Sequence, residues 1–272
     1  MGQGWPAAEA GVSKFAQILL SRALSWKKGV ADMLFNRKLE KPRVAAVIAA
    51  AGSASRMQGI DKQFEEICGV PVVVRAMLAF SDIDWIDEIV VVARAQDIPA
   101  VHALIRAWGV PKVRSVVAGG PTRQQSVRNG VEAVGYETRY VAVHDGARPL
   151  VNQQVIAETV IDAVRCGAAA AAVPVTDTVK VADENRRILS TPDRSTLFAV
   201  QTPQVFELER YRLAAQKAEE AGKDYTDDCQ MLEAAGYPVY LSRGDYDNIK
   251  ITTPVDLVVA TAMVDAAEGE RI

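Results

Sequence analysis

A loop of small residues, with two cations close behind it, is the first feature of the chain that could do chemistry. Ala50, Ala51 and Gly52 end an apolar run, and Arg56 and Lys62 follow shortly after. Small side chains let a ligand approach the backbone closely, and successive amide groups can form a nest for phosphate oxygens. The two cations supply the charge that a polyphosphate requires. The loop therefore predicts a nucleotide or phosphate site; the alternative is a tight strand-to-helix turn with solvated charges.

Other common kinds of site are not favoured by the sequence. The loop lacks both the Gly-Lys-Ser or Gly-Lys-Thr ending of a P-loop and the Gly-x-Gly-x-x-Gly pattern of dinucleotide-binding proteins. The chain has only two histidines, His102 and His144, and three cysteines without short spacing. Neither a zinc site nor a disulfide framework is therefore expected. The cysteine pattern favours a reducing, cytoplasmic compartment.

Composition and charge narrow the class of protein further. The 272 residues are 49% apolar and 24% charged, which is ordinary for a globular protein. The longest apolar runs are much shorter than the roughly 20 residues that cross a bilayer, so no membrane span is expected. Residues 1–43 carry eight Lys or Arg against three acidic residues, whereas the whole chain has a net charge of −3. Because the remainder is acidic, nucleic-acid binding is not expected.

Short strand-like runs alternate with helical stretches from residue 43 onward. Strands are predicted at residues 44–50, 88–93, 113–117, 140–144, 168–175 and 239–241. Helices are predicted at residues 71–80, 99–108, 124–134, 152–166, 207–221 and 226–235. This alternation predicts an α/β domain with a mostly parallel sheet and helices on both faces. Ligands of such sheets bind beyond the carboxyl ends of the strands, which is where the small-residue loop lies.

Two segments stand outside this alternation. Residues 1–42 are expected to be an N-terminal extension to the domain at 43–272, helical in part or disordered, with a membrane-surface or partner helix as the alternative. Residues 174–194 have the pattern of a β-hairpin with little apolar surface. A two-stranded ribbon is marginal by itself in water, so the hairpin is expected to be an arm that packs on a partner subunit. A hairpin folded back on its own domain remains the alternative.

A series of motifs, taken in order, resembles one known family. The matching blocks are Ala50-Ala51-Gly52, Arg56-Met57, Lys62-Gln63, Gly119-Gly120 with Arg123 and Ser126, residues 143–149, Asp177-Thr178 with Lys180, Asp193-Arg194, residues 201–204, Thr226-Asp227-Asp228 and residues 247–250. Over residues 43–257 the chain resembles the 2-C-methyl-D-erythritol 4-phosphate cytidylyltransferases of the sugar-nucleotidyltransferase superfamily. The resemblance implies a Rossmann-like sheet with a protruding hairpin arm. It also implies transfer of the cytidylyl group of CTP to methylerythritol phosphate, giving 4-diphosphocytidyl-2-C-methyl-D-erythritol and pyrophosphate for isoprenoid synthesis.

The resemblance also implies roles for single residues. The catalytic residues would be Arg56, Lys62 and Lys250. The nucleotide-binding residues would be Ala50, Ala51, Gly52, Gly120, Ser126, Asp145 and Gly146. The substrate-binding residues would be Arg148, Thr226 and, from the arm of a second subunit in a homodimer, Thr178 and Arg194. Mg²⁺ is the implied cofactor, held mainly by the CTP phosphates, and no metal ligand from the protein is expected.

Several alternatives stay open at this point. The nucleotide loop would also suit a ribitol 5-phosphate cytidylyltransferase or a nucleotide-binding regulatory module without turnover, although the stretches 123–126 and 144–148 look more like the methylerythritol phosphate enzymes. Asp145 could have a structural role in a turn instead of binding the nucleotide. The four residues implied to bind substrate could instead form surface salt bridges or turns. His144, next to a strand end, is interpreted as a structural histidine. Asp61 stands where the family usually has proline before the lysine.

Overall fold

Seven strands form the main sheet of the computed structural model, which describes residues 41–52 and 61–269. In chain order they are β1 (Val44–Ala49), β4 (Glu88–Ala93), β5 (Val113–Ala118), β6 (Tyr140–Asp145), β7 (Ala168–Pro174), β10 (Phe198–Glu207) and β11 (Tyr240–Arg243). Their order across the sheet is β11-β7-β10-β6-β1-β4-β5. Neighbouring strands run parallel except at β10, which is antiparallel to both β6 and β7. The predicted mostly parallel sheet is confirmed, and nearly all of the predicted extension at residues 1–42 lies outside the described residues.

Two short hairpins accompany the sheet. The first joins β2 (Glu66–Ile67) to β3 (Val70–Pro71), and the second joins β8 (Val181–Ala182) to β9 (Ile188–Ser190). The second hairpin is the predicted arm at residues 174–194. Its apolar side chains lie largely in solvent: Ile188 is 58% exposed and Leu189 is 60% exposed. The arm therefore has an apolar surface that the described part of this chain does not cover.

Helices cover both faces of the sheet. They are α1 (Val72–Ser81), α2 (Ile98–Trp108), α3 (Arg123–Glu132), α4 (Gln153–Cys166), α5 (Leu208–Glu220), α6 (Asp228–Ala234) and α7 (Pro254–Gly269). The helices α3, α5 and α6 share one apolar core with alternate side chains of β1, β4 and β6. The helix α1 packs between α2 and α4. None of the helices in the described ranges is long and apolar enough to cross a membrane.

The close fit of α3 on the sheet has a local cause. A Cβ placed on Gly130 would lie 2.5 Å from a methyl carbon of Val47 and 2.6 Å from one of Val92. Real Cβ atoms do not come this close to a neighbour, so only glycine lets the helix backbone approach these two strands. The N-cap of the same helix is Thr122, whose side chain accepts a hydrogen bond from the backbone N–H of Gln125 at 3.2 Å. This packing fixes the start of α3 beside the carboxyl ends of β1 and β4.

One long strand and one helix differ from the sequence prediction, as does the short hairpin formed by β2 and β3. The strand β10 was not predicted, because its polar stretch from Gln201 to Gln204 breaks the apolar pattern of a buried strand. Yet Gln201, Thr202 and Gln204 are all buried. The helix α7 was also not predicted. The predicted strands and helices otherwise correspond to observed elements with small shifts at their ends.

Candidate active site

The small-residue loop lies where the carboxyl ends of β1 and β6 meet. Ala49 and Asp145 are paired in the parallel ladder, and the N–H of Gly146 donates to the carbonyl of Ala49 at 2.9 Å. On the other side, the N–H of Ala50 donates to the carbonyl of Val92 at 2.7 Å. A Cβ on Gly146 would lie 3.1 Å from the Cβ of Ala50. The backbones of the two predicted nucleotide-binding segments therefore lie side by side, with little room for larger side chains.

The loop after β5 closes another side of the same region. A Cβ on Gly119 would lie 2.4 Å from the Cβ of Ala51 and 2.8 Å from Oγ of Ser126. The Ser126 hydroxyl accepts from the N–H of Gly120 at 3.1 Å and lies 2.8 Å from the carbonyl of Thr122, to which it can donate. Ala51, Gly120 and Ser126 are thus brought together around one glycine. This arrangement presents backbone groups and a hydroxyl on a surface without bulky side chains.

The carboxylate of Asp145 is the centre of a group of cations. Nζ of Lys250 lies 2.7 Å from its Oδ2, Nε of Arg123 lies 3.5 Å from its Oδ1, and Nε of Arg148 lies 3.8 Å from its Oδ2. Burial by itself would raise the pKa of Asp145, but the charges of Lys250 and Arg123 outweigh it and hold the pKa well below its ordinary value. Asp228 also pairs with Arg123, so two carboxylates lie among three cations, which leaves one excess positive charge. The site therefore suits an anion such as a phosphate.

Arg123 is held in place from the other side by Asp228. Its Nη1 lies 2.7 Å from Oδ2 of Asp228, and the hydroxyl of Tyr211 donates to Oδ1 of the same carboxylate at 3.2 Å. Burial disfavours the charged guanidinium, yet Asp228 and then Asp145 overcome that effect and raise the pKa of Arg123. Arg123 therefore stays charged and links the N-termini of α3 and α6 to the Asp145 cluster. The motif that contains it was recognised in the sequence, but no role was assigned to it.

Lys62 reaches the segment that carries Lys250. Its ammonium group donates to the carbonyl of Ile251 at 3.1 Å, and the N–H of Ile251 donates in turn to the carbonyl of Ala147 at 2.8 Å. Of the three residues implied as catalytic, Lys62 therefore contacts the residue that follows Lys250, while Lys250 itself pairs with Asp145. The third, Arg56, lies outside the described residues.

Arg148 lies between Asp145 and the segment before Lys250. Its Nη1 donates to the carbonyl of Asn248 at 2.6 Å, and its side chain is only 12% exposed. Burial, partly offset by Asp145, lowers the pKa of Arg148 from its ordinary value. The guanidinium remains charged, because an arginine starts from a pKa far above neutrality. The structure thus places this predicted substrate-binding residue within the cation group.

Comparison with known proteins identifies the family. The family described as "IspD: 2-C-methyl-D-erythritol 4-phosphate cytidylyltransferase" matches residues 44–266. The chain belongs to this family. A relative with that enzyme name from Caldanaerobacter subterraneus subsp. tengcongensis is 47% identical over 221 residues, which cover 80% of this chain and 96% of the relative. Another from Alkaliphilus oremlandii is 39% identical over 231 residues, covering 84% of this chain and 98% of the relative.

Solved structures of family members share the fold. The 4-diphosphocytidyl-2C-methyl-D-erythritol synthase from Anaerococcus prevotii has a TM-score of 0.75 at 30% identity and covers 83% of this chain and 100% of its own. The 2-C-methyl-D-erythritol 4-phosphate cytidylyltransferase from Thermus thermophilus has a TM-score of 0.67 at 32% identity. The match covers 81% of this chain and 98% of the Thermus chain. The cytidylyltransferase fold implied by the sequence motifs is confirmed.

The contacts shown for the remaining predicted residues of this cytidylyltransferase are local and do not involve Asp145. Thr226 is exposed at the start of α6, where its N–H and hydroxyl donate to Oε1 of Gln230 at 3.3 and 3.1 Å. Thr178 and Arg194 are exposed on the arm, and Nη1 of Arg194 donates to the carbonyl of Thr176 at 2.7 Å. Gly52 is exposed at the end of the described part of the nucleotide loop. The roles of these residues stay predictions.

A network of buried polar side chains next to the site could not be predicted from the sequence. Asn248 is wholly buried, and its side-chain N–H groups donate to the carbonyl of Thr202 at 2.9 Å and to Oε1 of Gln201 at 3.1 Å. It thereby holds the segment before Lys250 against β10. The Asp-Asn-Ile-Lys block was recognised as a family motif, but the sequence carries no sign that its asparagine points inward. Because such contacts join residues far apart in the chain, local pattern cannot reveal them.

The donor set favours a ligand that brings its own cation. Within residues 41–52 and 61–269, no group of three or more His, Cys, Asp or Glu side chains is placed to hold a metal ion. Asp145, the carboxylate beside Lys250, is already paired with Lys250 and Arg123. These side chains fit phosphate oxygens better than a bare metal ion.

Proposed function

We propose that this chain transfers the cytidylyl group of CTP to 2-C-methyl-D-erythritol 4-phosphate and releases pyrophosphate. The names of the relatives support the reaction. The observation that carries the assignment in the structure is the cation group around Asp145, which lies directly beside the small-residue loop. A nucleotide in the loop would place its phosphates at these cations.

The chemistry requires charge neutralisation more than a protein nucleophile. A phosphate oxygen of methylerythritol phosphate attacks the α-phosphorus of CTP, the new P–O bond forms, and the bond from the α-phosphorus to the bridging oxygen of pyrophosphate breaks. Because one anion attacks another, alignment and positive charge lower the barrier. Lys62, which is held by the carbonyl of Ile251, and Lys250, which is held by Asp145, would stabilise the charge that develops on the phosphate oxygens. We propose the same role for Arg56.

Nucleotide recognition is proposed for the two loops that meet at Gly119. The backbone of Ala50, Ala51 and Gly120 and the hydroxyl of Ser126 lie close together. Such groups can form hydrogen bonds with the edge of a base, and a base that left them unpaired would be rejected. Gly52, Asp145 and Gly146 are proposed to complete the nucleotide site, on the side of the phosphates and ribose.

The polyol phosphate is proposed to bind at Arg148 and Thr226, with Thr178 and Arg194 from a second copy of the chain. The exposed apolar side chains of the arm support a homodimer, because a two-stranded ribbon of this kind gains stability when its apolar surface is covered. Each site would then be completed by the arm of the other subunit. A cytoplasmic location is part of the same proposal.

Magnesium is proposed as the cofactor that enters with CTP. When bound, Mg²⁺ would neutralise part of the triphosphate charge. Lys62, Lys250 and Arg123 would hold the phosphates that carry it. Omission of Mg²⁺ from the assay is expected to abolish turnover, and full activity in excess EDTA would contradict this role.

The activity is tested by pyrophosphate release from the purified chain. CTP, ATP, GTP or UTP is offered together with methylerythritol phosphate, ribitol 5-phosphate or no acceptor. We expect pyrophosphate only with CTP and methylerythritol phosphate, and mass spectrometry should show 4-diphosphocytidyl-2-C-methyl-D-erythritol. Product with ribitol 5-phosphate alone would identify the other cytidylyltransferase, and nucleotide binding without any product would indicate a regulatory module.

A further inference from the structure

His144 lies beneath the turn that carries two residues of the candidate site. It is the penultimate residue of β6, its side chain is wholly buried, and its ring packs against that of Phe80 with the centroids 4.8 Å apart. The next residue is Asp145, and the turn continues to Arg148, whose N–H donates to the carbonyl of Asp145 at 2.9 Å. The imidazole therefore has no access to substrate, but it contacts the turn from inside.

The hydrogen-bond partners of the ring determine its tautomer. Nε2 lies 3.1 Å from the backbone carbonyl of Arg148, which can only accept, so Nε2 carries the hydrogen. In the neutral ring Nδ1 then accepts, and its partner at 3.0 Å is the hydroxyl of Thr202. The oxygen of that hydroxyl accepts from the N–H of Asp145 at 3.1 Å. One continuous chain of donors and acceptors thus runs from the amide of Asp145 to the carbonyl of Arg148.

The electrostatics agree with a neutral ring. Burial lowers the pKa of His144 to about 4, which the hydrogen bond to Arg148 and the charge of Asp145 oppose only in part. The charge of Arg148 acts in the same direction as burial. At neutral pH the ring therefore has one donor and one acceptor, and both are used.

This chain of hydrogen bonds clamps the turn at both ends. The amide of Asp145 is fixed through Thr202, and the carbonyl of Arg148 is fixed by the ring itself. The side chains of these two residues contact Lys250 and the carbonyl of Asn248 respectively. A misplacement of reacting groups by about 1 Å can reduce a rate by about a hundredfold, so the position of this turn matters for the reaction.

We propose that His144 is a positioning residue for cytidylyl transfer, whose Nε2–H tautomer fixes the turn in which Asp145 orients Lys250 and Arg148 contacts the polyol phosphate. The inference rests on the proposed activity and adds a residue that does not touch substrate. It predicts that loss of the two hydrogen bonds impairs use of the polyol phosphate more than binding of CTP. Arg148 belongs to the polyol side of the site, whereas Asp145 on the nucleotide side stays paired with Ala49 in the ladder between β1 and β6.

The tautomer is tested by NMR on the full chain labelled with ¹⁵N-histidine. The chain has two histidines, and the spectrum of His102→Gln assigns the signals of the exposed His102. We expect the His144 ring to show one protonated nitrogen, Nε2, and no change between about pH 5.5 and pH 8. An Nδ1–H tautomer, or a ring that becomes charged in this range, would overturn the inference.

The positioning role is tested by kinetics of His144→Leu, His144→Gln and Thr202→Val, with His102→Gln as the matched control. His144→Leu removes both hydrogen bonds, whereas His144→Gln can keep a donor to the carbonyl of Arg148. We expect His144→Leu to raise the KM for methylerythritol phosphate about tenfold or more and to lower kcat, with the KM for CTP changed by less than about threefold. His144→Gln should be less impaired than His144→Leu. Thr202→Val should also raise the KM for methylerythritol phosphate more than the KM for CTP.

The outcomes separate this inference from the proposed activity. Wild-type kinetics in a folded His144→Leu would overturn the positioning role; if that variant fails to fold, wild-type kinetics in both His144→Gln and Thr202→Val would do so. A purely structural role would lower the melting temperature without the unequal change in the two KM values. Failure of the wild-type chain to release pyrophosphate with any substrate pair would contradict the activity, while the NMR measurement would still report the tautomer.

Discussion

Nζ of Lys250 lies 2.7 Å from Oδ2 of Asp145, although the two residues come from distant parts of the chain. The contact joins the end of β6 to the segment that precedes α7. Asp145 therefore orients a cation that is proposed to act on phosphate, and its own negative charge is compensated by Arg123 on the other side. In this candidate phosphate site, an acidic residue thus holds the positively charged ammonium group of Lys250 in position.

Replacement of Asp145 by Asn should separate orientation from charge. The amide keeps the shape of the carboxylate but loses the ion pair with Lys250, so the lysine is free to adopt other positions. We expect kcat to fall by about a hundredfold in steady-state assays while circular dichroism stays that of the wild type. A kcat within about threefold of wild type would show that Lys250 does not depend on this carboxylate.

Loss of the Lys62 ammonium group should abolish turnover without unfolding the chain. Its only charge is proposed to stabilise phosphate oxygens, so Lys62→Ala is expected to reduce kcat/KM by about a hundredfold or more. The matched control is Lys217→Ala, which also removes a lysine that donates to a backbone carbonyl, that of Ala235 at 3.2 Å, but on the outer surface of α5. Equal activities of the two variants would contradict the role of Lys62.

The shared site can be tested by mixing two inactive variants. Arg194→Ala should impair methylerythritol phosphate use, and Lys62→Ala should impair transfer. In a mixed dimer one site would hold the intact Lys62 of one subunit and the intact Arg194 of the other. Equal amounts of the two chains, after exchange of subunits, should therefore recover about a quarter of wild-type activity. No recovery in a mixture shown by mass spectrometry to contain mixed dimers would place the arm residue outside the partner's site.

The stability of the chain should decrease in mild acid because of His144. The folded-state pKa is lowered to about 4 by burial, below the unfolded value of 6.5. Between these pH values the unfolded state binds more protons than the folded state, so the free energy of unfolding increases with pH. The stability that the neutral histidine contributes is therefore lost as the pH falls from about 6.5 to about 4. The full effect is about 3 kcal/mol. Urea unfolding at several pH values should show a shallower dependence in His144→Gln, and an identical dependence would contradict the assignment.

Asp61, which precedes Lys62 where the family resemblance leads us to expect proline, forms an ion pair that we propose takes the place of that proline. Asp61 pairs with Arg94, which also pairs with Asp97. Since Asp61 directly precedes Lys62, we expect Arg94→Gln to raise the KM for CTP several-fold, within the range of about 1 kcal/mol typical of partly exposed pairs. Asp61→Pro in the same background should restore the KM. If the double variant is no better than Arg94→Gln, the pair does not substitute for proline.

Much of the fold could be predicted from the sequence because buried parallel strands are continuous apolar runs. The strands β1, β4 and β7 and most of β6 have this pattern, whereas the edge strands β5 and β11 are partly exposed and contain polar residues. The strand β10 does not, because Gln201, Thr202 and Gln204 are buried where an apolar residue would be expected. These side chains are tolerated inside because they have partners on other segments, such as Asn248 for Gln201. Local sequence cannot indicate a partner that is supplied by a distant segment.

For the candidate site, too, the sequence indicated some features and left others to the structure. The small-residue loop with Arg56 and Lys62 indicated phosphate chemistry. The motif order indicated the family and, through it, the roles expected of Asp145 and Lys250. The sequence did not show that Asp145 pairs with Lys250, that Arg123 bridges Asp145 and Asp228, or that His144 clamps the turn. Each of these depends on distances between segments that only the folded chain defines.

The arm leaves and re-enters the sheet at directly opposed residues. Pro174, the last residue of β7, is paired with Phe198, the first residue of β10, in an antiparallel ladder. The whole excursion between them is thus topologically an elongated connection of one hairpin. A protein engineer could excise it and close the gap with a tight two-residue turn, leaving strand register unchanged, and so obtain a truncated single-chain scaffold in which nucleotide recognition can be studied apart from assembly.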